Sequence, residues 1–240
     1  GFKGSPAGAP NGEQIIEGDG DGFGVNSGIL YCPVPAHSFA LTYRSDIKVD
    51  LKGSLTWKGL SNESEAALGG TEYVSDVKTS ITLPPSVTLG YAFKREKLTL
   101  SADAEWVGFS SYRTTDLRFP ADSAITDSSV RHDFKDKWSV SGGANYKWNE
   151  MWETRAGYSY YPTVVPEGTW DPSIPDSNIH GYHAGGTMNL QSFGIDLSYS
   201  YFRYDTITIN NNVGSEYLTT VNGTYKTAAH VISANVSYKF

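Results

Sequence analysis

The sequence ends with Ile232-Ser233-Ala234-Asn235-Val236-Ser237-Tyr238-Lys239-Phe240, in which apolar and polar residues alternate. Successive side chains of a β-strand point to opposite sides, so the even-numbered residues here share an apolar face and the odd-numbered ones a polar face. One face suits hydrocarbon and the other suits water. A closing strand that finishes on a bare aromatic residue is typical of an outer-membrane β-barrel. We therefore expect the barrel assembly machinery to be a partner that recognises Phe240.

The same alternation recurs along the chain, in residues 39–52, 98–106 and 193–201. Moving an unpaired charge out of water costs several kcal/mol or more, so a row of charges on one face must meet solvent or partners. The polar face is therefore predicted to line a wet lumen, and the apolar face to meet lipid. The predicted lumen charges are Arg44, Asp46, Lys48, Asp50, Lys52, Asp103, Glu105, Glu153 and Arg155, which we interpret mainly as a structural ladder of opposite charges.

Composition excludes several other classes of protein. The mean hydropathy is −0.37 and the sequence has no run of about 18 apolar residues, which excludes transmembrane helices but not a membrane barrel. A net charge of −7 argues against a nucleic-acid partner, because binding to phosphates needs a basic surface. Cys32 is the only cysteine, so no internal disulfide is possible.

The connections between the predicted strands alternate between short and long. Short, turn-like segments lie around residues 33–37, 94–97, 148–151 and 190–192, and long polar segments span 58–77, 119–134, 164–178 and 210–225. This alternation predicts an all-β protein, a transmembrane up-and-down antiparallel β-barrel with short periplasmic turns and long outer loops. About nine strands are predicted: 19–33, 38–57, 78–94, 97–118, 135–148, 152–163, 179–191, 193–209 and 226–240.

An odd number of strands leaves the first and last strands parallel, whereas single-chain bacterial barrels normally have an even number. Open edges in lipid would expose unsatisfied backbone groups at several kcal/mol each. We therefore expect residues 1–240 to be the C-terminal part of a single barrel domain in the outer membrane of a Gram-negative bacterium. Residues 1–17 are predicted to be the remnant of an extracellular loop.

Several segments resemble the FadL/TodX family of outer-membrane transporters of long-chain fatty acids and hydrocarbons. The resemblance implies a barrel of roughly fourteen strands with an N-terminal plug, of which this sequence would hold the last nine strands. The plug and the early strands would then be missing, and the chain alone is not expected to transport. The segments that carry the resemblance are residues 22–31 and 40–53, Leu83-Pro84, Phe134-Lys135-Asp136, Val165-Pro166 and Ile174-Pro175-Asp176.

The function that the resemblance implies is passive uptake of hydrophobic compounds. A fatty acid or hydrocarbon would be captured at the outer loops, bind in a pocket of the barrel and leave through a lateral opening. A lateral exit is physically sensible, because lipopolysaccharide and water both obstruct a direct route for an apolar solute. Lipopolysaccharide and other outer-membrane lipids would surround the barrel as its partners.

A fatty acid needs an apolar groove for its tail and one or two cations for its carboxylate. In the family a basic residue just before the Phe-Lys-Asp segment helps to hold the head group, and the nearest equivalents are Arg131 and His132, with Lys135 as a possible assistant. The alternative is that they are solvated loop charges, with Lys135 paired to Asp133 or Asp136.

Four aromatic residues interrupt the polar pattern near the outer ends of their strands and are candidates to line the pocket: Phe109, Tyr161, Phe202 and Tyr204. The alternative is an aromatic girdle in which the strand register is shifted by one residue.

No cofactor or metal is predicted. Neither His-Glu-x-x-His nor Gly-x-Ser-x-Gly occurs, and Asp19-Gly20-Asp21-Gly22 lacks the later ligands of a calcium loop. Two alternative functions stay open: a barrel enzyme of phospholipase type that uses a serine and His230 near the lipid, and a structural or adhesive barrel whose loops bind a partner.

Overall fold

A computed structural model describes residues 13–59, 65–66, 68–172, 174–213 and 221–238. Phe240 and residues 1–12 lie outside the described residues. The described strands are β1 (Glu13–Asp19), β2 (Asn26–Val34), β3 (His37–Arg44), β4 (Ile47–Lys58), β5 (Glu72–Leu83), β6 (Ser86–Arg95), β7 (Leu98–Val107), β8 (Thr114–Leu117), β9 (Ser128–Arg131), β10 (Lys137–Lys147), β11 (Trp152–Tyr161), β12 (Ile179–Leu190), β13 (Phe193–Tyr204), β14 (Ile207–Ile209), β15 (Gly223–Tyr225) and β16 (Ala228–Tyr238).

Nine of these strands form one antiparallel sheet in the order β2-β3-β6-β7-β10-β11-β12-β13-β16. Each strand pairs with the next sheet strand along the chain, which confirms the predicted up-and-down arrangement and its nine strands. Strands β2 and β16 are the two edges of this sheet, and no pairing joins them among the described residues.

The two ends of the sheet differ in how the strands are connected. At one end, here called the turn end, short turns link β2 to β3, β6 to β7, β10 to β11 and β12 to β13. Two of these turns place Glu96 and Gln191 at φ values of 51° and 47°, a left-handed conformation suited to tight two-residue turns. At the other end, the loop end, long connections join β3 to β6, β7 to β10, β11 to β12 and β13 to β16.

The two faces of the sheet have different side chains, as the alternation predicts. On the apolar face, register places Leu197 beside Ala234 and Gly186, and Leu41 beside Ile29 and Leu89. On the polar face, serine and glycine dominate the centre: Ser198 pairs with Ser233 and Gly185, and Gly143 pairs with Ser101 and Gly157. None of the helical turns in the described part of the chain is long and apolar enough to cross a membrane.

The predicted strand 38–57 is in fact two strands that belong to different sheets. β3 ends at Arg44 in the nine-stranded sheet, and β4 begins at Ile47 in a separate sheet with the order β1-β4-β5. Ser45 marks the change: its amide donates to the Val25 carbonyl at 2.9 Å, and its hydroxyl accepts from the Val25 amide at 2.9 Å. Lys48, Asp50 and Lys52 therefore lie beyond the nine-stranded sheet, and the prediction that they line the lumen is wrong.

That residues 1–17 are the remnant of an extracellular loop stays a prediction, and its last five residues form part of a strand outside the nine-stranded sheet. Residues 13–17 belong to β1, which pairs antiparallel with β4. Glu13 lies opposite Lys58, and Asp19 lies opposite Lys52. The following glycine-rich segment packs closely on β4, since a Cβ at Gly20 would lie 2.3 Å from the Asp50 carbonyl oxygen. No group of acidic, histidine or cysteine side chains suited to a metal occurs in the described ranges.

The expected ladder of charges is present only in part. On the polar face, Arg155 of β11 donates to Asp196 of β13 at 2.9 Å, across the intervening strand β12. Asp103 instead accepts from the Ser141 hydroxyl at 2.6 Å. Lys48 and Asp50 pair at 3.2 Å within β4, where both side chains are largely exposed.

Candidate functional site

A hydrophobic cluster lies at the loop end and is assembled from several long connections. Phe134, Val165, Trp170 and Ile209 are its buried members, and Trp170 is only 1% exposed. The Trp170 and Tyr225 rings are 4.4 Å apart between centroids. Phe109, Tyr112, Val164, Ile207 and Val221 also pack against the buried members. Three separate connections, β7 to β10, β11 to β12 and β13 to β16, are thereby held together.

The Phe134-Lys135-Asp136 segment links this cluster to the connection between β11 and β12 and to the 3₁₀ turn that follows β7. Phe134 is buried in the cluster, and the Lys135 amide donates to the Val164 carbonyl at 2.9 Å. The Asp136 carboxylate accepts from the Ser110 amide at 2.7 Å, at the start of a single 3₁₀ turn over Phe109–Ser111. The segment therefore has a structural role at all three positions.

The second motif, Ile174-Pro175-Asp176, fixes the connection between β11 and β12. The Asp176 carboxylate accepts from the Thr163 hydroxyl at 2.7 Å and from the Val164 amide at 2.9 Å. The Asp176 carbonyl accepts from the Trp170 indole N–H at 2.8 Å, which satisfies the one polar atom of that buried side chain. These bonds hold Val165 and Trp170 in the cluster.

A cavity of about 190 Å³ opens beside this cluster, and we call it the loop-end cavity. Its walls are mostly apolar, and Arg131, His132, Thr169 and Asp171 are its polar residues. A small concave site with apolar walls and few polar groups is the usual form of a site for small molecules. The lining residues are Val130, Arg131, His132, Phe134, Val165, Thr169, Asp171, Ile174 and Val213.

Arg131 is the cationic side chain of the loop-end cavity. It forms an ion pair with Asp133, and its side chain is 75% exposed, so the guanidinium retains donors that can reach an anion. Lys135 does not line the cavity, and no ion pair of its ammonium occurs among the described residues. The alternative prediction that Lys135 pairs with Asp133 or Asp136 is therefore wrong: Asp133 binds Arg131 and Asp136 binds the Ser110 amide.

His132 forms an aromatic wall of the cavity. Its ring stacks on that of Tyr112, with the centroids 4.9 Å apart and an angle of 19° between the planes. The centroids of the His132 and Phe134 rings are 5.2 Å apart. Its Nε2 is 3.0 Å from the Thr115 hydroxyl. Burial lowers the pKa of His132 below its ordinary value of 6.5, because the charged imidazolium is poorly solvated there. His132 is therefore neutral at pH 7, and Arg131 supplies the charge.

The four candidate aromatic residues fall into two groups. Phe109 packs against the loop-end cluster. Tyr161 and Tyr204 both lie opposite Ile179, and Phe202 lies opposite Gly181, so these three share the polar face near the loop end. The register does not shift them to the apolar face, so the aromatic-girdle alternative is wrong for these three residues.

Sequence reasoning did not identify a polar cluster around His183 on the polar face. His183 Nε2 is 2.9 Å from the Ser159 hydroxyl, and its Nδ1 is 2.9 Å from the Ser200 hydroxyl. The only sequence signal was the parity of the three residues, which becomes informative once the strand register is known. A Ser-His pair here is not oriented by a carboxylate, since both ring nitrogens face serines.

His230, the histidine of the enzyme alternative, lies on the apolar face. Its Nδ1 is 2.7 Å from the Tyr199 hydroxyl, and its ring lies 4.9 Å from that of Tyr201. Tyr158 pairs with His180, and Tyr91 with His37, in the same way. Three histidines thus share one structural motif, a hydrogen bond to a tyrosine on the neighbouring strand, and His230 has a tyrosine rather than a serine as its partner.

An up-and-down antiparallel sheet with one apolar and one polar face is the wall of a transmembrane β-barrel. A family model described as outer membrane protein transport protein (OMPP1/FadL/TodX) matches residues 3–240. The chain therefore belongs to the OMPP1/FadL/TodX family of Gram-negative outer-membrane barrels, which confirms the resemblance, the fold class and the location predicted from the sequence.

The relatives include a long-chain fatty acid transport protein of Salmonella typhi, which is 26% identical over 236 residues, covering 86% of this chain and 50% of the relative. The crystal structure of a Pseudomonas aeruginosa FadL homologue aligns with a TM-score of 0.74 at 21% identity, covering 90% of this chain and 52% of the homologue. The crystal structure of the Pseudomonas putida toluene transporter TodX aligns with a TM-score of 0.60 at 21% identity, covering 91% of this chain and 49% of the transporter. The chain spans about half the length of these relatives.

Proposed function

We propose that the protein is a passive outer-membrane channel for hydrophobic compounds, either long-chain fatty acids or hydrocarbons. The loop end faces the outside, the loop-end cavity captures the solute, and a pocket inside the barrel receives it before it leaves laterally into the membrane. Family membership supports transport of this kind, since relatives are described as transporters of fatty acids and of toluene.

The observation that carries the proposal is the composition of the loop-end cavity. Phe134, Val165 and Ile174 offer apolar contact to a tail, and Arg131 offers guanidinium donors to a carboxylate. A charge-assisted hydrogen bond at this exposed position adds selectivity for acids, whereas the apolar walls also accept a neutral hydrocarbon.

Blocking the cavity tests the proposal. Ile174 lines the cavity and is 45% exposed, so Ile174→Trp should fill the opening without disturbing a buried position. In a Gram-negative host that lacks its own fatty-acid transporter and produces the chain joined to the plug and early strands that the family resemblance implies, we expect this variant to reduce uptake of radiolabelled oleate at least fivefold. The matched control is Ile232→Trp, because Ile232 lies on the apolar face and is 80% exposed.

Two results would overturn the proposal: no oleate uptake above that of the host alone, or equal uptake by the two tryptophan variants. Arg131→Gln tests the role of the charge separately. We expect it to reduce oleate uptake about threefold, in line with a partly screened ion pair, and to leave toluene uptake unchanged.

A further inference from the structure

A groove of about 660 Å³ lies on the apolar face of the nine-stranded sheet, where the wall meets lipid. This volume is within the usual range for ligand pockets. The short side chains of Ala102 and Ala104 lie between larger ones on β6 and β10, so β7 forms the floor of the groove. Two cross-strand rows line it, one of Phe39, Tyr91 and Ala102 and one of Leu41, Leu89, Ala104 and Val140.

Aromatic rings border the groove towards the turn end. The ring centroids of Phe39 and Tyr91 are 5.1 Å apart, and those of His37 and Phe93 are also 5.1 Å apart. Aromatic side chains with a polar edge concentrate where the hydrocarbon of a membrane gives way to head groups. The groove therefore runs from the hydrocarbon layer to the head-group layer at the turn end.

His37 provides a hydrogen-bond donor at this boundary. Its Nδ1 is 2.8 Å from the Tyr91 hydroxyl. With that hydroxyl as the donor, the proton of the neutral imidazole lies on Nε2. Nε2 has no hydrogen-bond partner among the residues that the structure describes, so its N–H can bind an acceptor from the head-group layer.

Arg95 provides a positive charge just beyond His37. It follows Tyr91 and Phe93 at alternate positions of β6, so it shares their face, and it lies about 13 Å along the strand from Tyr91. Its guanidinium forms no ion pair in the described part of the chain. Arg203, the cation of the same face at the loop end, is instead bound to Asp205 at 3.3 Å.

The charge of the turn between β6 and β7 is opposite to that of the chain. Lys94-Arg95-Glu96-Lys97 has three cations and one carboxylate, whereas the chain has a net charge of −7. Short turns of outer-membrane barrels lie on the periplasmic side, and the periplasmic leaflet consists of phospholipids. The paired donors of a guanidinium match the oxygen atoms of a phosphate.

We propose that this groove binds one anionic phospholipid of the periplasmic leaflet. An acyl chain lies over Ala102 and Ala104, and the phosphate lies between Arg95 and the Nε2–H of His37. Tyr91 has two roles, because its ring contacts the chain and its hydroxyl fixes the His37 tautomer. The groove is on the outer wall of the barrel, so this lipid site does not depend on the path of a transported solute.

Native mass spectrometry in a neutral detergent tests the proposal by counting bound lipids. The protein is the chain joined to the plug and early strands that the family resemblance implies. The probes are phosphatidylglycerol and diacylglycerol with the same acyl chains, which differ in the phosphate head. We expect the first phosphatidylglycerol to bind at least fivefold more tightly, as about one contact between a cation and a phosphate near a membrane surface provides.

Arg95→Gln should reduce this preference to below twofold, and Arg95→Lys should retain most of it because the charge remains. Arg203→Gln is the matched control and should leave the preference unchanged, since Arg203 lies on the same face at the opposite end. Equal binding of the two lipids by the unmodified protein, or an unchanged preference in Arg95→Gln, would overturn the proposal.

Ala102→Trp tests the groove itself, because it fills the floor at an exposed position. We expect it to weaken binding of both lipids at least fivefold. Ala234→Trp is the control, since Ala234 is exposed on the same face of β16, opposite Leu197 and outside the groove. Equal effects of the two tryptophan substitutions would overturn the proposal.

Three competition results would assign the groove to a different occupant and so overturn the proposal. Displacement of phosphatidylglycerol by glycerol phosphate would indicate a site for a free anion, and displacement by oleate would indicate a site for the solute. A dimer that Ala102→Trp abolishes would indicate a second copy of the chain. None of these results bears on oleate uptake through the loop-end cavity, which the Ile174→Trp variant tests separately.

Discussion

At the scale of single residues, Arg131 and His132 are adjacent in the sequence but differ in burial, and they therefore have different roles in the loop-end cavity. Arg131 is exposed and stays charged, whereas His132 stacks on Tyr112 and is held neutral. Asp133 has a φ of 53°, so the chain reverses sharply between His132 and Phe134 and places both rings in one cluster. Adjacent residues thereby take different roles, one electrostatic and one steric.

The lowered pKa of His132 gives a pH dependence with a definite sign. The unfolded chain binds a proton at His132 below about pH 6.5, whereas the folded chain resists protonation until a lower pH. The contribution of His132 to the free energy of unfolding is therefore fully present above pH 6.5 and is lost as the pH falls through that value. Titration of the His132 ring protons by NMR should give a midpoint below 6.5.

Tyr112→Ala should raise that midpoint towards 6.5, because removal of the stacked ring admits water to the imidazole. A midpoint at or above 6.5 in the unmodified chain would contradict the assignment of His132 as a neutral wall of the cavity. The sequence could not predict this neutrality, since Tyr112 and Thr115 approach His132 only through the pairing of β8 with β9.

At the scale of elements, alternation located the strands but not the sheets to which they belong. The polar and apolar sequence pattern has the same parity before and after Ser45, so it predicted one long strand where β3 and β4 are separate. Side-chain parity is a local property, whereas the change of sheet depends on the hydrogen bonds between Ser45 and Val25. The same limit explains why β1 was not recognised, since β4 is the strand with which it pairs among the described residues.

The contact between β1 and β4 depends on a glycine. A Cβ at Gly53 would lie 1.8 Å from the Glu17 carbonyl oxygen and 2.5 Å from Gly18 Cα, and backbone atoms cannot move aside as a flexible side chain can. We expect Gly53→Ala to separate β1 from β4 and to reduce the stability of this small sheet by about 1–3 kcal/mol. Faster amide hydrogen exchange over Glu13–Asp19 would report the change.

Gly70→Ala is the control for this substitution, because the nearest atom to its added Cβ is the Glu72 carbonyl oxygen at an ordinary 3.7 Å. It should leave exchange in β1 unchanged. Equal exchange rates in the Gly53→Ala variant and the unmodified chain would show that β1 does not depend on this close approach.

At the scale of the whole molecule, the fold places two solvents on opposite sides of one layer of backbone. Leu197 of β13 is 57% exposed on the apolar face, and its neighbour Ser198 lies on the polar face opposite Gly185 and Ser233. An exposed apolar face of this size is stable in lipid and would drive aggregation in water. The division into an apolar and a polar face was predictable from the sequence, because apolar and polar residues alternate within each strand.

Spin labels at adjacent positions test this division directly. In a chain with Cys32→Ser, labels at Leu197→Cys and Ser198→Cys differ by one residue and should differ in environment. We expect the label at 197 to be relaxed mainly by molecular oxygen, which concentrates in hydrocarbon, and the label at 198 mainly by a water-soluble nickel chelate. Leu197 and Ser198 are both paired with β12 on one side of β13 and with β16 on the other, so strand mobility cannot account for such a contrast. Equal access of the nickel chelate to both labels would mean that the apolar face is covered by something other than lipid, and the barrel wall would then need a different partner.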